Sequence, residues 1–297
     1  MIDLRVRLDD SMVDLSRSMD AQGLATHWAD LCRANGLDRF TTVYDLFNLN
    51  RLPASAVDFA RVRASADYLA AHLERSVRHI SAFLSPNTPP STYNLTVILL
   101  PFAKYNFGPR EGLQLFSLHP DASSEETYLF LTHVYYHELT PISYTARCRR
   151  CASSPASGAD LKYSLRLLIR NEGIANYAVL DELVQLIAKN PDCPLRYFTY
   201  APLIGNKDFL DRALVLFDTL LAQVGDGPLA SHDGQLIAQL KNGFVPVINL
   251  IGIQMATAIA GHFGVETLID VYQQEADAFF RLYAETGARP LGALACL

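Results

Sequence analysis

The chain lacks any run of basic residues, any cysteine framework and any long uninterrupted apolar segment, and each absence removes a class of protein. Its 25 lysines and arginines are outnumbered by 31 aspartates and glutamates, for a formal net charge of -6. The charges are scattered, so the electrostatic footprint that binds a phosphate backbone is missing and no nucleic-acid partner is expected. Five cysteines, Cys32, Cys148, Cys151, Cys193 and Cys296, are too few and too dispersed to staple a fold, and they read as reduced thiols. Cys148-Arg149-Arg150-Cys151 has the two-residue gap of zinc knuckles and redox pairs, but without a second pair it reads as a solvated loop. Residues 1 to 20 mix Arg5, Arg7, Asp9, Asp10 and Asp14 among the apolar positions, which does not make a secretory signal, and a cytoplasmic protein is expected. The segment from Phe244 to Gly261 is uncharged for 18 residues but holds Pro246, Asn249, Gln254 and Thr257, so it reads as a buried helix and no membrane is expected.

Half of the 297 residues are apolar, enough for a sizeable core in one large domain or two ordinary ones. Residues 10 to 83 are helical in pattern, with Leu24, His27, Trp28, Leu31 and Cys32 on one face and a long amphipathic helix after Pro53. A Pro-rich break follows. Tyr93 to Phe102 and Gly112 to Leu118 are rich in β-favouring residues, with Asn106-Phe107-Gly108-Pro109 between them, and suggest a small antiparallel pair. Asp121 to Glu126 supplies capping hydroxyls and first-turn acids for a helix beginning near Ser124, which Pro141 is expected to end. Beyond a polar loop the pattern is helical from Leu161 to Lys189 and, after an irregular stretch, from residue 207 onward. The expected architecture is mainly α with a small antiparallel β-sheet: residues 1–90 a helical N-terminal region and residues 91–297 a metal-binding region, together one compact unit.

The most informative segment lies in the helix after the sheet: Leu131-Thr132-His133-Val134-Tyr135-Tyr136-His137-Glu138-Leu139. Residues four apart leave a helix on the same face, with Cβ atoms about 6 Å apart, so His133 and His137 can grip one metal ion. In the H-E-x-x-H pattern of zinc proteases a glutamate after the first histidine activates the metal-bound water; here that position is Val134. Other registers fail, because they place Pro141 at the second ligand or need an acid at Tyr136. Glu138, one turn beyond Val134 on the same flank, is a candidate for a displaced base or a further ligand. Tyr136, on the opposite flank, is a candidate donor to a developing oxyanion, and Tyr135 reads as core. Two histidines make a weak site; a third ligand is needed. Glu172, among Leu167, Leu168, Ile169 and Ile174, is a carboxylate in apolar surroundings that requires a partner, and Gly173 beside it bares the backbone to a close neighbour. His72 and His79 read as surface residues, and His27, His119, His232 and His262 as isolated ones, with His262 placed to face a cavity.

The two-histidine helix after a small sheet, followed by Glu172-Gly173-Ile174-Ala175 on a later helix, resembles the bacterial zinc-dependent peptidase families of the gluzincin type. Gly252-Ile253-Gln254-Met255-Ala256 and Phe279-Phe280-Arg281-Leu282-Tyr283 are similar to packing motifs of those families' later helices. The resemblance implies a gluzincin-like metalloprotease fold with zinc held by His133, His137 and Glu172. The departure at Val134 removes the residue that would activate water. The leading expectation is therefore a zinc enzyme, a metallohydrolase or lyase, using Lewis-acid chemistry on a small-molecule or peptide carbonyl rather than an ordinary peptidase. Two histidines and one carboxylate also match the iron(II) facial triad, which gives Fe2+ as the alternative metal. The third reading is a noncatalytic descendant that keeps the ion.

Overall fold

The structure is a computed structural model that describes residues 2–17, 21–37, 56–84, 91–101, 107–110, 112–144, 157–192, 195–229, 245–272 and 274–288. The Cys148/Cys151 pair and His232 lie outside the described residues. The chain forms two compact units: Met1–Ala82, Pro89–Glu138 and Leu186–Phe198 make the first; Phe83–Thr88, Leu139–Gln185 and Thr199–Leu297 make the second.

The first unit is built on a sheet of four strands, β1 (Ile2–Asp9), β2 (Ser91–Pro101), β3 (Phe107–Arg110) and β4 (Leu113–Leu118), in the order β1-β2-β4-β3. The expected antiparallel pair is corrected here: β2 runs parallel to β4 and to β1, and only the edge strand β3 is antiparallel to β4. The stretch 107–110 is itself a strand, not a turn, and β4 slots between β2 and β3, which reverses the pairing sense. The physical sign is the unbroken burial of Val97, Ile98, Leu99 and Leu100, the mark of a central strand covered on both faces. The expected all-helical opening is likewise corrected, because it begins with β1. Leu4 is buried while Asp3, Arg5 and Arg7 are exposed, an alternation suited to an edge strand, whose charged side chains also discourage pairing with other chains.

Helices α1 (Ser11–Ser16) and α2 (Ala21–Ala34) cover one face of the sheet, where Met12, Leu24, Trp28, Leu31 and Cys32 pack on Ile98, Leu100, Leu113 and Leu115. From the other face Phe116 meets Phe130 of α4 (Ser124–Tyr144), ring centroids 5.9 Å apart. Helix α3 (Ala56–Ser81) reaches α4 through Ser65 and Ser124 and through Tyr68 and Tyr128. His72, expected at the surface, is half-buried and stacked on Tyr68 at 4.0 Å.

The second unit is helical: α5 (Gly158–Tyr177), α6 (Leu180–Lys189, whose last residues belong to the first unit), a short 3-10 turn at Ala201–Leu203, α7 (Lys207–Ala222), α8 (Val245–Phe263), α9 (Val265–Val271) and α10 (Ala276–Glu285). The single long helix expected from residue 161 to 189 is thus two, α5 and α6. The uncharged segment 244–261 falls on α8, whose Ile248, Leu250, Ile251, Ile253, Met255, Ala256 and Ile259 are buried. Among the described residues no helix is long and apolar enough to cross a membrane.

Helices α5 and α8 cross almost backbone to backbone. A Cβ on Gly173 would lie 2.5 Å from the Gly252 carbonyl oxygen, and one on Gly252 would lie 2.4 Å from that of Ile169. Only glycine at both positions permits this approach. α5 is further tied down by Arg166, which donates to Asp277 at 2.7 Å, and by the fully buried Arg170, which donates to the Gln274 carbonyl at 2.6 Å and lies 4.9 Å over the Tyr272 ring.

Candidate metal centre

Helix α4 begins where its sequence says it should. The Ser123 hydroxyl accepts from the Glu126 N–H at 3.0 Å, satisfying one of the free amides of the first turn. Pro141 does not end the helix as expected: α4 continues to Tyr144. A proline here lacks the N–H that would bond to the preceding turn and its ring crowds the carbonyl of residue i−4, yet the helix runs three residues further.

His133 and His137 are presented on one face of α4. His133 is buried and His137 half-buried, and their Nε2 atoms are 3.1 Å apart. Two nitrogens bound to one zinc at about 2.0–2.1 Å with a tetrahedral angle stand about 3.3 Å apart, so the pair is already within a few tenths of an ångström of a chelating geometry. Without an ion, one imidazole donates to the other across the same distance, and the tautomers decide which.

The His133 ring is held by aromatic neighbours of the first unit. It stacks on Phe130 with centroids 5.6 Å apart and planes 14° from parallel, and it meets Phe198 edge to face at 6.1 Å. Phe130 in turn stacks on Tyr197 at 4.6 Å and 9°. The Tyr197 hydroxyl donates to the Ser117 carbonyl at 2.7 Å and accepts from the His119 N–H at 3.1 Å, which ties this stack to the end of β4. Burial pushes the Tyr197 phenol well above its ordinary range.

Val134 is buried, and so are Tyr135 and Tyr136. Burial raises the Tyr135 phenol far above its ordinary range, opposed by the Ser76 hydroxyl. Glu138 lies in α4, and its side chain is outside what the structure describes.

In the second unit Glu172 sits on α5 directly before Gly173, at the helix crossing, and is half-buried. Its carbonyl accepts from the Asn176 side-chain amide at 2.7 Å, and the Asn176 side-chain oxygen accepts from the Tyr200 hydroxyl. Burial pushes the Tyr200 phenol up strongly, and the Glu172 charge adds to the shift. Of the three expected ligands, the first unit supplies His133 and His137 and the second unit supplies Glu172.

The sequence reading did not single out Phe130, Tyr197, Phe198, Asn176 or Tyr200. Aromatic residues in a helix or an irregular stretch carry no local mark of what they stack on. His262, read as an isolated histidine, is exposed and borders an open depression with Ala258, Gly261 and Thr286.

A helix that brings two imidazole nitrogens to 3.1 Å defines a candidate metal-binding protein. The family comparison names zinc. Residues 60–287 match the family described as "Putative zinc dependent peptidase (DUF5700)", well over half of the chain, and the chain belongs to that family. No curated protein and no solved structure matches it.

Proposed function

We propose that this protein is a zinc-dependent enzyme of gluzincin descent in which His133, His137 and Glu172 hold the ion. The observation that carries the reading is the 3.1 Å approach of the two Nε2 atoms, which suits two ligands of one zinc without rearrangement. The donor set of two imidazoles and one carboxylate fits a borderline cation with one position left for substrate or water. The family's description supports zinc over iron.

Bound there, zinc supplies Lewis-acid polarisation of a carbonyl oxygen. The residues of the chain do the rest. His133 and His137 would face the ion through Nε2 as neutral imidazoles. Val134 presents an apolar side chain where an H-E-x-x-H enzyme carries its base, so proton transfer falls to Glu138, one turn further along α4, or to the substrate itself. Tyr136 is the proposed hydrogen-bond donor to the charge that develops on the carbonyl oxygen. A substrate whose own acidic or basic group moves the proton suits such a site better than a plain peptide bond does. The proposed reaction is therefore hydrolysis or elimination on a small-molecule or peptide carbonyl.

A second reading is favoured by one observation. Val134 is only 8 % exposed, an apolar residue well packed where catalysis would want a carboxylate, as in a descendant that keeps its ion for stability. Elemental analysis of the purified full chain tests both. One equivalent of zinc, lost in His133→Ala, is expected; no metal in either protein overturns the proposal, and iron in place of zinc shifts it to oxygen chemistry. Zinc whose removal unfolds the protein, with no activity on a panel of esters and amides, establishes the structural reading instead.

A further inference from the structure

Glu126 stands third after Ser123 in a Ser-x-x-Glu pattern, where a glutamate usually turns back to the amide of the capping residue. Here it turns inward and is completely buried. Its Oε1 accepts from the backbone N–H groups of Arg196 and Tyr197, both at 2.7 Å, and of Phe198 at 3.4 Å. A carboxylate taken out of water is costly unless hydrogen-bonded, and three amides converging on one oxygen are a strong way to hold it. The same bonds fix three consecutive residues of a segment outside any regular element.

Two of those residues are the rings that pack around His133. Tyr197 stacks on Phe130, Phe130 stacks on His133, and Phe198 stands edge-on to both Phe130 and His133, at 5.6 and 6.1 Å. The plane of the imidazole decides where the Nε2 lone pair points, and a metal ligand works only within about 0.5 Å and 10–20° of its productive placement.

We propose that Glu126 is a positioning residue for the metal centre: it pins residues 196–198, and through the rings of Tyr197, Phe198 and Phe130 it sets the orientation of His133. The inference rests on the zinc reading above. It adds a residue seven positions away from the ligand, acting through aromatic packing rather than through a hydrogen bond to the imidazole.

The test uses the full chain and three variants, Glu126→Gln, Tyr197→Leu and Tyr197→Phe. Zinc affinity is measured by competition with a chromophoric chelator, the visible spectrum is taken after cobalt(II) substitution, and imidazole nitrogen–proton spectra are recorded for the metal-free proteins below their Tm. Glu126→Gln and Tyr197→Leu are expected to bind zinc about 10–100-fold more weakly with an altered cobalt spectrum, whereas Tyr197→Phe, which keeps the ring, binds as the wild type does. In the metal-free spectra the first two variants shift or broaden the His133 resonance and leave those of His27 and His262 in place. If both variants fold, hold zinc at wild-type affinity and leave His133 unmoved, the proposal is overturned. Should Glu126→Gln not fold, the contrast between Tyr197→Leu and Tyr197→Phe carries the same decision. If the wild type takes up no zinc, the zinc reading falls, and the His133 resonance alone judges the clamp: unmoved in Tyr197→Leu, it refutes it; moved, it upholds it.

Discussion

Gly173→Ala puts a methyl group into the tightest place in the second unit. The new Cβ would lie 2.5, 2.6 and 2.7 Å from the oxygen, carbon and Cα of Gly252, all backbone atoms with no rotamer to yield. Ordinary contact begins near 3.4 Å, so α5 and α8 must part by about 1 Å at the crossing, and overpacking of this kind costs about 1–3 kcal/mol. Because the obstruction is backbone on both sides, the upper end applies. Against it stands the better helix propensity of alanine, worth about 1 kcal/mol. The net expectation is a loss of about 2 kcal/mol, or about 3 °C in Tm for a chain of this size, read by thermal melting or by the denaturant midpoint at unchanged slope. Gly261→Ala is the control. It is also a glycine in α8, but a Cβ there meets nothing within 4 Å, so this variant should gain about 0.5–1 kcal/mol. A Gly173→Ala protein no less stable than the wild type, or a Gly261→Ala protein that loses as much, refutes the argument from helix approach.

Tyr200→Phe removes the donor to the buried Asn176 oxygen and should cost about 1–3 kcal/mol in chemical denaturation, whereas a neutral result shows that water or another group replaces it. Val134→Glu restores the H-E-x-x-H pattern and, in the zinc-loaded protein, should raise peptide hydrolysis above that of the wild type; a zinc-replete variant with no gain rejects the view that Val134 limits that activity. Alkaline titration followed at 295 nm should leave Tyr135, Tyr197 and Tyr200 un-ionised while exposed phenols ionise near their ordinary pKa of about 10. All three pKa values are raised on folding, so the stability they contribute is complete below the unfolded pKa and is lost as pH climbs toward the folded values. Their ionisation should therefore coincide with unfolding, and early ionisation of all fourteen tyrosines contradicts the burial.

What could be read in advance was what short-range chemistry encodes. Ser123 and the acids after it placed the start of α4 at Ser124, and the same-face rule placed His133 beside His137, because both effects act within one turn. Strand direction lay beyond that range. Nothing within 107–118 says that β4 will lie between β2 and β3, and the parallel sense follows only once it does. β1 was hidden differently: Leu4, Val6 and Leu8 alternate with Asp3, Arg5 and Arg7, a period of two that looks like scattered charge until a partner strand is known. Glu126 was legible only as a first-turn acid, since its role as an acceptor depends on amides 70 to 72 positions away.

The two halves of the proposed ligand set are held by different means. His133 is oriented by a stack of rings, and Glu172 by its place on a helix that cannot move along its neighbour without meeting backbone. A ring stack tolerates small rotations, whereas the Gly173–Gly252 crossing tolerates almost none. Loosening the stack should therefore weaken metal binding gradually while the fold persists, and loosening the crossing should cost stability and metal together. The Tyr197→Leu and Gly173→Ala proteins separate these two behaviours: plotted as zinc affinity against Tm, the first should fall in affinity at nearly constant Tm and the second in both. If the two variants instead lie on one line, His133 and Glu172 are held by a single cooperative structure, and the distinction between a tuned ligand and a fixed one fails.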